Sequence, residues 1–297
     1  MIGSRIRALL ACAVIALTAS AQAEIIYRDQ SLYQTILVDQ RGSVLCLQFS
    51  VRQDQRNQSC VDQRNPRKMV FGYTQMIMAA LLLNPEPESI LMIGLGGGTI
   101  AVALAELFPQ ASIEVVEIDP AVDEVARRYF GFQENEHINV TIQDGRVFTK
   151  RAGLKGKKYD LIILDAFNGD YIPEHLMTRE YLEETKALLT SNGVIAANTF
   201  AISDLYDHES ATYAAVFGQF FNLRRADTSN RVIFASEMPL PSVYVMAARA
   251  KDLEESLKPY GVPIKTYPRA MLEPAKWDKD ARVLTDQYSP ANLLNQK

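Results

Sequence analysis

The sequence is poor in histidine and cysteine and has no long apolar run after its first two dozen residues. Its three histidines, His137, His175 and His208, are scattered, and none has the spacing to a cysteine that zinc sites show. No stretch after residue 23 approaches the roughly 18 apolar residues of a membrane helix. We therefore predict no metal site and no membrane span in the mature chain.

Neither sign of charge is in large excess. The 297 residues include 31 Lys and Arg and 35 Asp and Glu, which gives a formal charge of −4, and 48% are hydrophobic. This is the composition of an ordinary globular protein, without the basic surface that nucleic acids require. We expect no nucleic-acid partner.

The first 23 residues differ from the rest of the chain. Arg5 and Arg7 precede the apolar run Ala8 to Ala19, and Ala21-Gln22-Ala23 has the small residues of a cleavage site. We interpret residues 1–23 as a secretory signal peptide and expect an exported, periplasmic protein. The remaining cysteines, Cys46 and Cys60, would then form a disulfide or stay as two buried thiols, and we favour the disulfide.

A strand, a glycine turn and a helix organise the chain. The apolar run Ser89 to Ile93 predicts a buried strand, Gly94, Gly96 and Gly98 allow a tight turn, and a helix over 99–108 follows. The glycines let a ligand approach the main chain, and the helix N-terminus offers free N–H groups. A tight strand–helix contact without a ligand is the alternative explanation.

A second strand, 112–118, ends in Glu117 and Asp119 about 20 residues after the glycines. An acidic side chain at this spacing can accept both hydroxyl groups of a ribose and does not suit a 2′-phosphate. We therefore interpret this pair of strand ends as an adenosine site.

Strands and helices alternate through the rest of the chain, which predicts a mainly parallel sheet covered on both faces. We predict strands over 89–93, 112–118, 138–142, 159–164, 193–199, 222–226, 231–236 and 242–248, with helices over 99–108, 120–130, 178–189 and 207–220 and a short one from Gly145. The sequence before them predicts a small antiparallel sheet, a polar loop or irregular hairpin arm over 52–68 and a joining helix over 68–83. The predicted domains are 24–66, 67–250 and a helix with a tail over 251–297.

Polar residues follow two further strands of the predicted sheet. Asp144 and Gly145 come after strand 138–142, and Asp165 comes after strand 159–164. Because the carboxyl ends of parallel strands share one edge, these residues belong to one predicted pocket. Asp144 would bind an adenine amino group or cap a helix, and Asp165 would face the site or form a turn.

Several of these motifs together resemble the spermidine synthases, the polyamine aminopropyltransferases. They are Ser31-x-Tyr33-Gln34, Phe71-Gly72-Tyr73, Ile93 to Gly98, Val116 to Asp119, Asp144-Gly145 and Tyr159-Asp160 leading to Asp165. The resemblance implies a class I S-adenosylmethionine-dependent methyltransferase-like (Rossmann-like) fold with a small N-terminal β domain. It also implies transfer of an aminopropyl group from decarboxylated S-adenosylmethionine to an amine, and a homodimer.

The resemblance also implies roles for individual residues. Asp165 would be the catalytic base and Tyr73 would orient the amine, with Asn168 and Asp170 beside it. Gln34 would contact the donor or product, Glu117 the ribose and Asp144 the adenine.

The sequence departs from the family pattern at three places. Gly97 stands where the family has an Asp that binds the donor's amino group, Asn168 stands where it has a second Asp, and Asp227 to Arg231 replaces a Pro-Thr-Tyr segment. Gly97 would leave room for the carboxylate of intact S-adenosylmethionine, so a methyltransferase stays open. An exported, non-catalytic binder of adenosine ligands stays open as well, because such donors are made in the cytoplasm.

Overall fold

The structure, a computed structural model, describes residues 23–51, 54–167, 171–201, 205–273 and 275–290. Its first sheet is antiparallel and has the strand order β1-β2-β3-β4. The four strands are β1 (Glu24–Gln30), β2 (Thr35–Arg41), β3 (Val44–Val51) and β4 (Asp54–Asp62). The small antiparallel sheet predicted at the N-terminus is therefore present.

The second sheet has seven strands in the order β10-β11-β9-β8-β5-β6-β7. They are β5 (Ser89–Ile93), β6 (Ser112–Glu117), β7 (Ile138–Ile142), β8 (Tyr159–Leu164), β9 (Leu189–Phe200), β10 (Phe221–Arg224) and β11 (Asn230–Ser236). The central strands are parallel, and β11 runs antiparallel to both of its neighbours. The predicted doubly wound, methyltransferase-like fold class is confirmed.

Helices cover both faces of this sheet. They are α1 (Gly72–Ile77), α2 (Thr99–Leu107), α3 (Pro120–Tyr129), α4 (Gly145–Leu154), α5 (Arg179–Lys186), α6 (Leu205–Phe217), α7 (Val243–Leu257) and α8 (Tyr267–Ala270), with 3-10 turns at Met78–Leu82, Glu174–Leu176, Lys258–Tyr260 and Ile264–Thr266. Within the described ranges, no helix has the length and apolarity needed to cross a membrane.

The core lies on both sides of the seven-stranded sheet. Along β5, Ile90 and Met92 pack with α1, α2 and α7, whereas Leu91 and Ile93 pack with α4, α5 and α6. Successive side chains of a strand point to opposite faces, so a strand that is buried on both sides must be apolar throughout. This explains the uninterrupted apolar run in front of the glycine turn.

The N-terminal sheet is fixed against the larger domain through α3. Ile36 of β2 and Leu47 of β3 share a buried cluster with Val122 and Val125 of that helix. The contact holds the β3–β4 hairpin beside the glycine turn, where its residues can reach a ligand.

Two predicted elements were wrong, and one open alternative is decided. Residues 242–248 form the start of α7 because the Ser242 side chain accepts from the Val245 N–H and caps a helix. Of the two alternatives for 52–68, the irregular hairpin arm is confirmed, because β4 pairs with β3 and the register shifts between Leu47 and Gln48. The joining helix is shorter than predicted and continues as the 3-10 turn Met78–Leu82.

The cysteine pair lies in the same hairpin. Cys46 and Cys60 are directly opposite on β3 and β4, with Cα atoms 4.1 Å apart, and they form a disulfide. The prediction of a bond between them is confirmed, and it stabilises the strand next to the site.

Candidate active site

A cavity of about 270 Å³ lies at the carboxyl ends of the parallel strands, between the large sheet and the N-terminal hairpin. The predicted site residues Gln34, Tyr73, Gly94, Gly96, Glu117, Asp144, Gly145 and Asp165 line it. The structure thus brings together residues that are up to 131 positions apart, from 34 to 165. Asn168 and Asp170 lie outside the described residues.

Gly94 is the point at which β5 leaves the sheet, with a φ of 103°. A Cβ atom on this residue would lie 2.4 Å from the Asp165 carbonyl oxygen of the neighbouring strand. Only glycine fits such a backbone at this distance. The first glycine of the turn therefore lets the two strand ends approach each other and places Asp165 at the cavity wall.

Gly98 has a different position from the one predicted. It caps α2 with a φ of 75°, and a Cβ atom there would lie 2.6 Å from the Phe132 ring. It is absent from the cavity lining. Its role in the described structure is to pack the helix start against Phe132, whereas Gly94 and Gly96 line the cavity.

Glu117 is buried at the end of β6 and accepts the N–H groups of Leu95 and Asp119, each at 3.0 Å. Burial raises the pKa of its carboxyl group. A carboxylate has about four acceptor positions, so these bonds do not use all of them. Glu117 can therefore still accept the ribose hydroxyl groups that the sequence predicts for it.

Asp119 does not line the cavity, in contrast to its predicted contact with the cofactor. One carboxylate oxygen accepts the Ala121 N–H at 3.0 Å and caps α3, and the other accepts the Ser31 hydroxyl at 2.5 Å. The side chain is 1% exposed. The sequence pattern placed it correctly at the strand end, but its polar atoms join the N-terminal domain to α3.

Asp144 lies at the end of β7 and serves two purposes. Its Oδ1 atom accepts the Val147 N–H at 2.9 Å, which caps α4, and its Oδ2 atom lies 2.8 Å from His175 Nε2. Both side chains line the cavity. Gly145 follows directly, and a Cβ atom there would lie 2.6 Å from Ile93 Cγ2, so it is required for packing.

Asp165 is the titratable group best suited to accept a proton at neutral pH. Burial raises its pKa to about 7, although hydrogen bonds from Asn198 and Tyr73 act in the opposite direction. The Asn198 amide donates to its Oδ1 atom at 2.8 Å. A carboxylate with a pKa near the working pH is an effective general base.

Tyr73 comes to the cavity from α1 and contacts this carboxyl group. Its own pKa is raised well above the ordinary value by burial and by the Asp165 charge, so it stays a neutral phenol. The Gln58 carbonyl oxygen lies 3.3 Å from the Tyr73 hydroxyl group and shares the single proton of that group with Asp165. Tyr73 therefore bridges the N-terminal hairpin and Asp165.

Gln34 carries an unsatisfied acceptor at the edge of the cavity. Its side chain is 8% exposed, and its Oε1 atom has no hydrogen-bond partner among the described residues. Leaving a buried acceptor unpaired costs about 1–3 kcal/mol. A ligand with an N–H or O–H group at this position would remove that cost, which fits the predicted contact with a donor or product.

The space next to Gly97 is filled by Ser59 of the N-terminal hairpin and by Phe130 at the end of α3. A Cβ atom on Gly97 would lie 2.6 Å from Ser59 Oγ and 2.9 Å from Phe130 Cδ1. Ser59 lies on β4, is buried and lines the cavity. The position at which the sequence lacks an aspartate thus receives a hydroxyl group from the hairpin.

Sequence reasoning missed several polar residues of the cavity wall. Among them are Ser59 on β4, His175, Asn198 on β9 and Asn230 on β11. Asn198 had a detectable signal, since it directly follows the apolar run Val194 to Ala197. Ser59 and Asn230 had none, because only the hairpin packing and the antiparallel pairing of β11 bring them to the site.

The charge of the cavity wall is negative. Its carboxylates are Glu117, Asp144 and Asp165, and none of the lining residues that the structure describes is Lys or Arg. Within the described ranges, no group of three or more His, Cys, Asp or Glu side chains is arranged to hold a metal ion. A wall of this kind favours cationic ligands such as sulfonium ions and amines.

The fold and this cavity define a class of protein, the methyltransferase-like transferases that bind an adenosyl donor at the carboxyl edge of the sheet. Residues 70–226 match the model of the spermine/spermidine synthase domain. A polyamine aminopropyltransferase from Vibrio vulnificus is 49% identical over 96% of this chain and 96% of its own. The chain belongs to the spermine/spermidine synthase family.

Solved structures agree with this assignment of the fold. A probable spermidine synthase from Corynebacterium glutamicum is 20% identical, with a TM-score of 0.65 over 87% of this chain and 97% of its own. Human methyltransferase-like protein 13 in complex with SAH is 26% identical, with a TM-score of 0.55 over 74% of this chain and 96% of its own. The same architecture therefore occurs in both kinds of transferase.

Proposed function

We propose that the protein is a polyamine aminopropyltransferase. The observation that carries this proposal is Asp165, a carboxyl group with a pKa raised to about 7 by burial, on an acidic wall beside Tyr73. The 49% identity to the Vibrio vulnificus polyamine aminopropyltransferase supports the same reaction. The donor would be decarboxylated S-adenosylmethionine and the acceptor a polyamine or another amine.

The residues of the cavity suit this donor. Glu117 would accept the ribose hydroxyl groups, Asp144 the adenine amino group, and the unpaired Oε1 atom of Gln34 an N–H group of the donor or product. The described wall has no Lys or Arg that would bind the carboxylate of intact S-adenosylmethionine. This favours the decarboxylated form, in which that carboxylate is missing.

The chemistry needs a base and an aligned amine more than it needs an acid. The nitrogen lone pair of the amine forms a bond to the aminopropyl carbon, and the electron pair of the broken C–S bond stays on sulfur, which leaves as the neutral thioether 5′-methylthioadenosine. Asp165 would take the proton that the amine releases, and Tyr73 would orient the amine. Asn168 and Asp170, which lie outside the described residues, stay predicted amine contacts.

Product formation tests the proposal. The purified protein is supplied with decarboxylated or intact S-adenosylmethionine and with a linear diamine, and the products are identified by mass spectrometry. We expect an aminopropylated amine and 5′-methylthioadenosine from the decarboxylated donor only. Transfer of a methyl group from the intact donor, without aminopropyl transfer, would overturn the proposal.

A matched pair of variants assigns the base. Asp165→Asn should lower kcat by about 10²–10⁴-fold, the range for loss of a general base, while donor binding measured by calorimetry persists. Asp252→Asn makes the same chemical change on the exposed face of α7 and should behave as the wild type. Equal turnover in the two variants would remove Asp165 from the mechanism.

We also propose that the protein is exported, with residues 1–23 as its signal peptide. The disulfide between Cys46 and Cys60 supports this, because such bonds persist mainly in oxidising compartments. Fractionation of cells that express the full chain tests the location, and N-terminal sequencing tests cleavage before Glu24. The homodimer implied by the resemblance stays a prediction, and light scattering, which measures the molar mass in solution, tests it.

A further inference from the structure

A line of side-chain hydrogen bonds runs from Asp165 to the surface through β9 and β11. The Asn198 amide donates to Asp165 Oδ1 at 2.8 Å, and the Asn230 amide donates to Asn198 Oδ1 at 3.0 Å. The Thr228 hydroxyl group donates to Asn230 Oδ1 at 2.9 Å. Four residues from three segments of the chain are therefore connected by uninterrupted contacts.

The line has a direction. A carboxamide group donates from its nitrogen and accepts at its oxygen, so fixing one end determines the other. An ionised Asp165 only accepts, so the Asn198 nitrogen faces it, the Asn198 oxygen accepts from Asn230, and the Asn230 oxygen accepts from Thr228. Without Asn230, the Asn198 oxygen loses its donor, and the amide can rotate away from the Asp165 carboxylate.

The pairing of β9 with β11 brings Asn198 and Asn230 next to each other. Asn198 pairs with Val232 and Asn230 with Phe200 across the antiparallel strands β9 and β11, so the two asparagines are diagonal neighbours. Asn198 is 4% exposed, and both asparagines line the cavity. A buried amide can hold only a few orientations, so its partners decide which group it presents to Asp165.

We propose that Asn230, held by Thr228, is a positioning residue that fixes the orientation of Asn198 and thereby the Asp165 carboxylate toward the bound amine. The proposal rests on the aminopropyl transfer proposed above. The proposal assigns a role to the segment Asp227 to Arg231, which replaces the Pro-Thr-Tyr segment of the spermidine synthases.

The effect should be visible in the titration of Asp165. Asn198 and the Tyr73 phenol of α1 both lower the pKa of this carboxyl group, and Glu117, Asp144 and His175 are the other titratable groups of the described wall. We therefore expect the pKa of Asp165 to rise by about one to two units when Asn198 no longer donates, because the charged carboxylate loses a hydrogen bond.

The test compares Thr228→Val, which keeps the shape of the side chain, with Thr228→Ser, which keeps the hydroxyl group, and adds Asn230→Ala. The protonated carboxyl band of Asp165 is followed by infrared difference spectroscopy from pH 5 to 9 without substrate and assigned with Asp165→Asn. Thr228→Val and Asn230→Ala should shift its midpoint upward by about one to two pH units, and Thr228→Ser should keep the wild-type midpoint.

A second measurement separates this proposal from the proposed function. If the enzyme transfers aminopropyl groups, the acid limb of kcat/KM should move with the infrared midpoint, while KM for the donor changes little. If the wild type transfers nothing, the proposed function fails, but the infrared titration still decides the positioning role. An unchanged midpoint in folded Asn230→Ala and Thr228→Val proteins would overturn the positioning role.

Discussion

Asp165→Asn should make the protein more stable at the same time as it removes the activity. Folding raises the pKa of Asp165 from an ordinary 3.8 to about 7, because burial penalises its charged form. A group with a raised pKa contributes its full stability below the unfolded value, and that contribution is lost as the pH rises through the folded value. The window for this loss is therefore about pH 4 to 7.

The size of the effect follows from the same two values. The shift from 3.8 to about 7 corresponds to a free energy on the order of 4 kcal/mol at 1.4 kcal/mol for each pKa unit. Asparagine is uncharged at every pH and resembles the protonated carboxyl group. At pH 8 the free energy of unfolding of Asp165→Asn should thus exceed that of the wild type by up to about 4 kcal/mol, and near pH 4 the two should be similar.

Urea denaturation at several pH values between 4 and 8 measures this difference. Asp252→Asn serves as the control, since its side chain is exposed on α7 and its stability should follow the wild type at each pH. A constant difference between Asp165→Asn and the wild type across the pH range would show that burial does not set the pKa of Asp165. A variant that is less stable at pH 8 would refute the reasoning outright.

Three further predictions concern the N-terminal domain and its contacts with the site. Replacing both Cys46 and Cys60 by serine opens a loop with a sequence separation of 14 and should lower the free energy of unfolding by about 3 kcal/mol, measured by urea denaturation with a reduced wild type as comparison. Gly97→Asp would collide with Ser59 Oγ and should cost about 1–3 kcal/mol and weaken calorimetric binding of 5′-methylthioadenosine, with partial recovery in a second variant that also carries Ser59→Gly. Gln34→Leu removes the unpaired acceptor, so it should raise the melting temperature of the free protein yet weaken ligand binding; tighter binding would contradict the role given to Gln34.

The large sheet was predictable because its local signals agree. Residues 90–93 of β5 and 161–164 of β8 are all apolar and are followed by glycine or aspartate, which marks both their burial and the edge at which they stop. The C-terminal part was harder, since Val243 to Ala250 is apolar enough for a strand and only the Ser242 cap selects a helix. A cap depends on one hydrogen bond, whereas a buried strand is marked by every residue in it.

Most of the cavity-lining residues predicted from the sequence lie at strand ends, whereas lining residues that depend on tertiary packing were not predicted. Glu117, Asp144 and Asp165 each come at the end of a predicted strand, so their place at the carboxyl edge can be deduced from order along the chain. The same rule failed for Asp119, because it cannot distinguish a helix cap that binds Ser31 from a ligand contact. Proximity to the edge is visible in a sequence, but the direction of a side chain is not.

The N-terminal hairpin fills the space that an aspartate side chain at position 97 would occupy. Ser59 lies where that side chain would begin, and the Gln58 carbonyl oxygen accepts from Tyr73. The disulfide at Cys60 fixes the strand that carries both. Because Ser59 and the Gln58 carbonyl group that contacts Tyr73 lie on one strand, a change in that strand should alter the cavity wall and the orientation of Tyr73 together, whereas changes at Asn230 should alter the proton transfer alone.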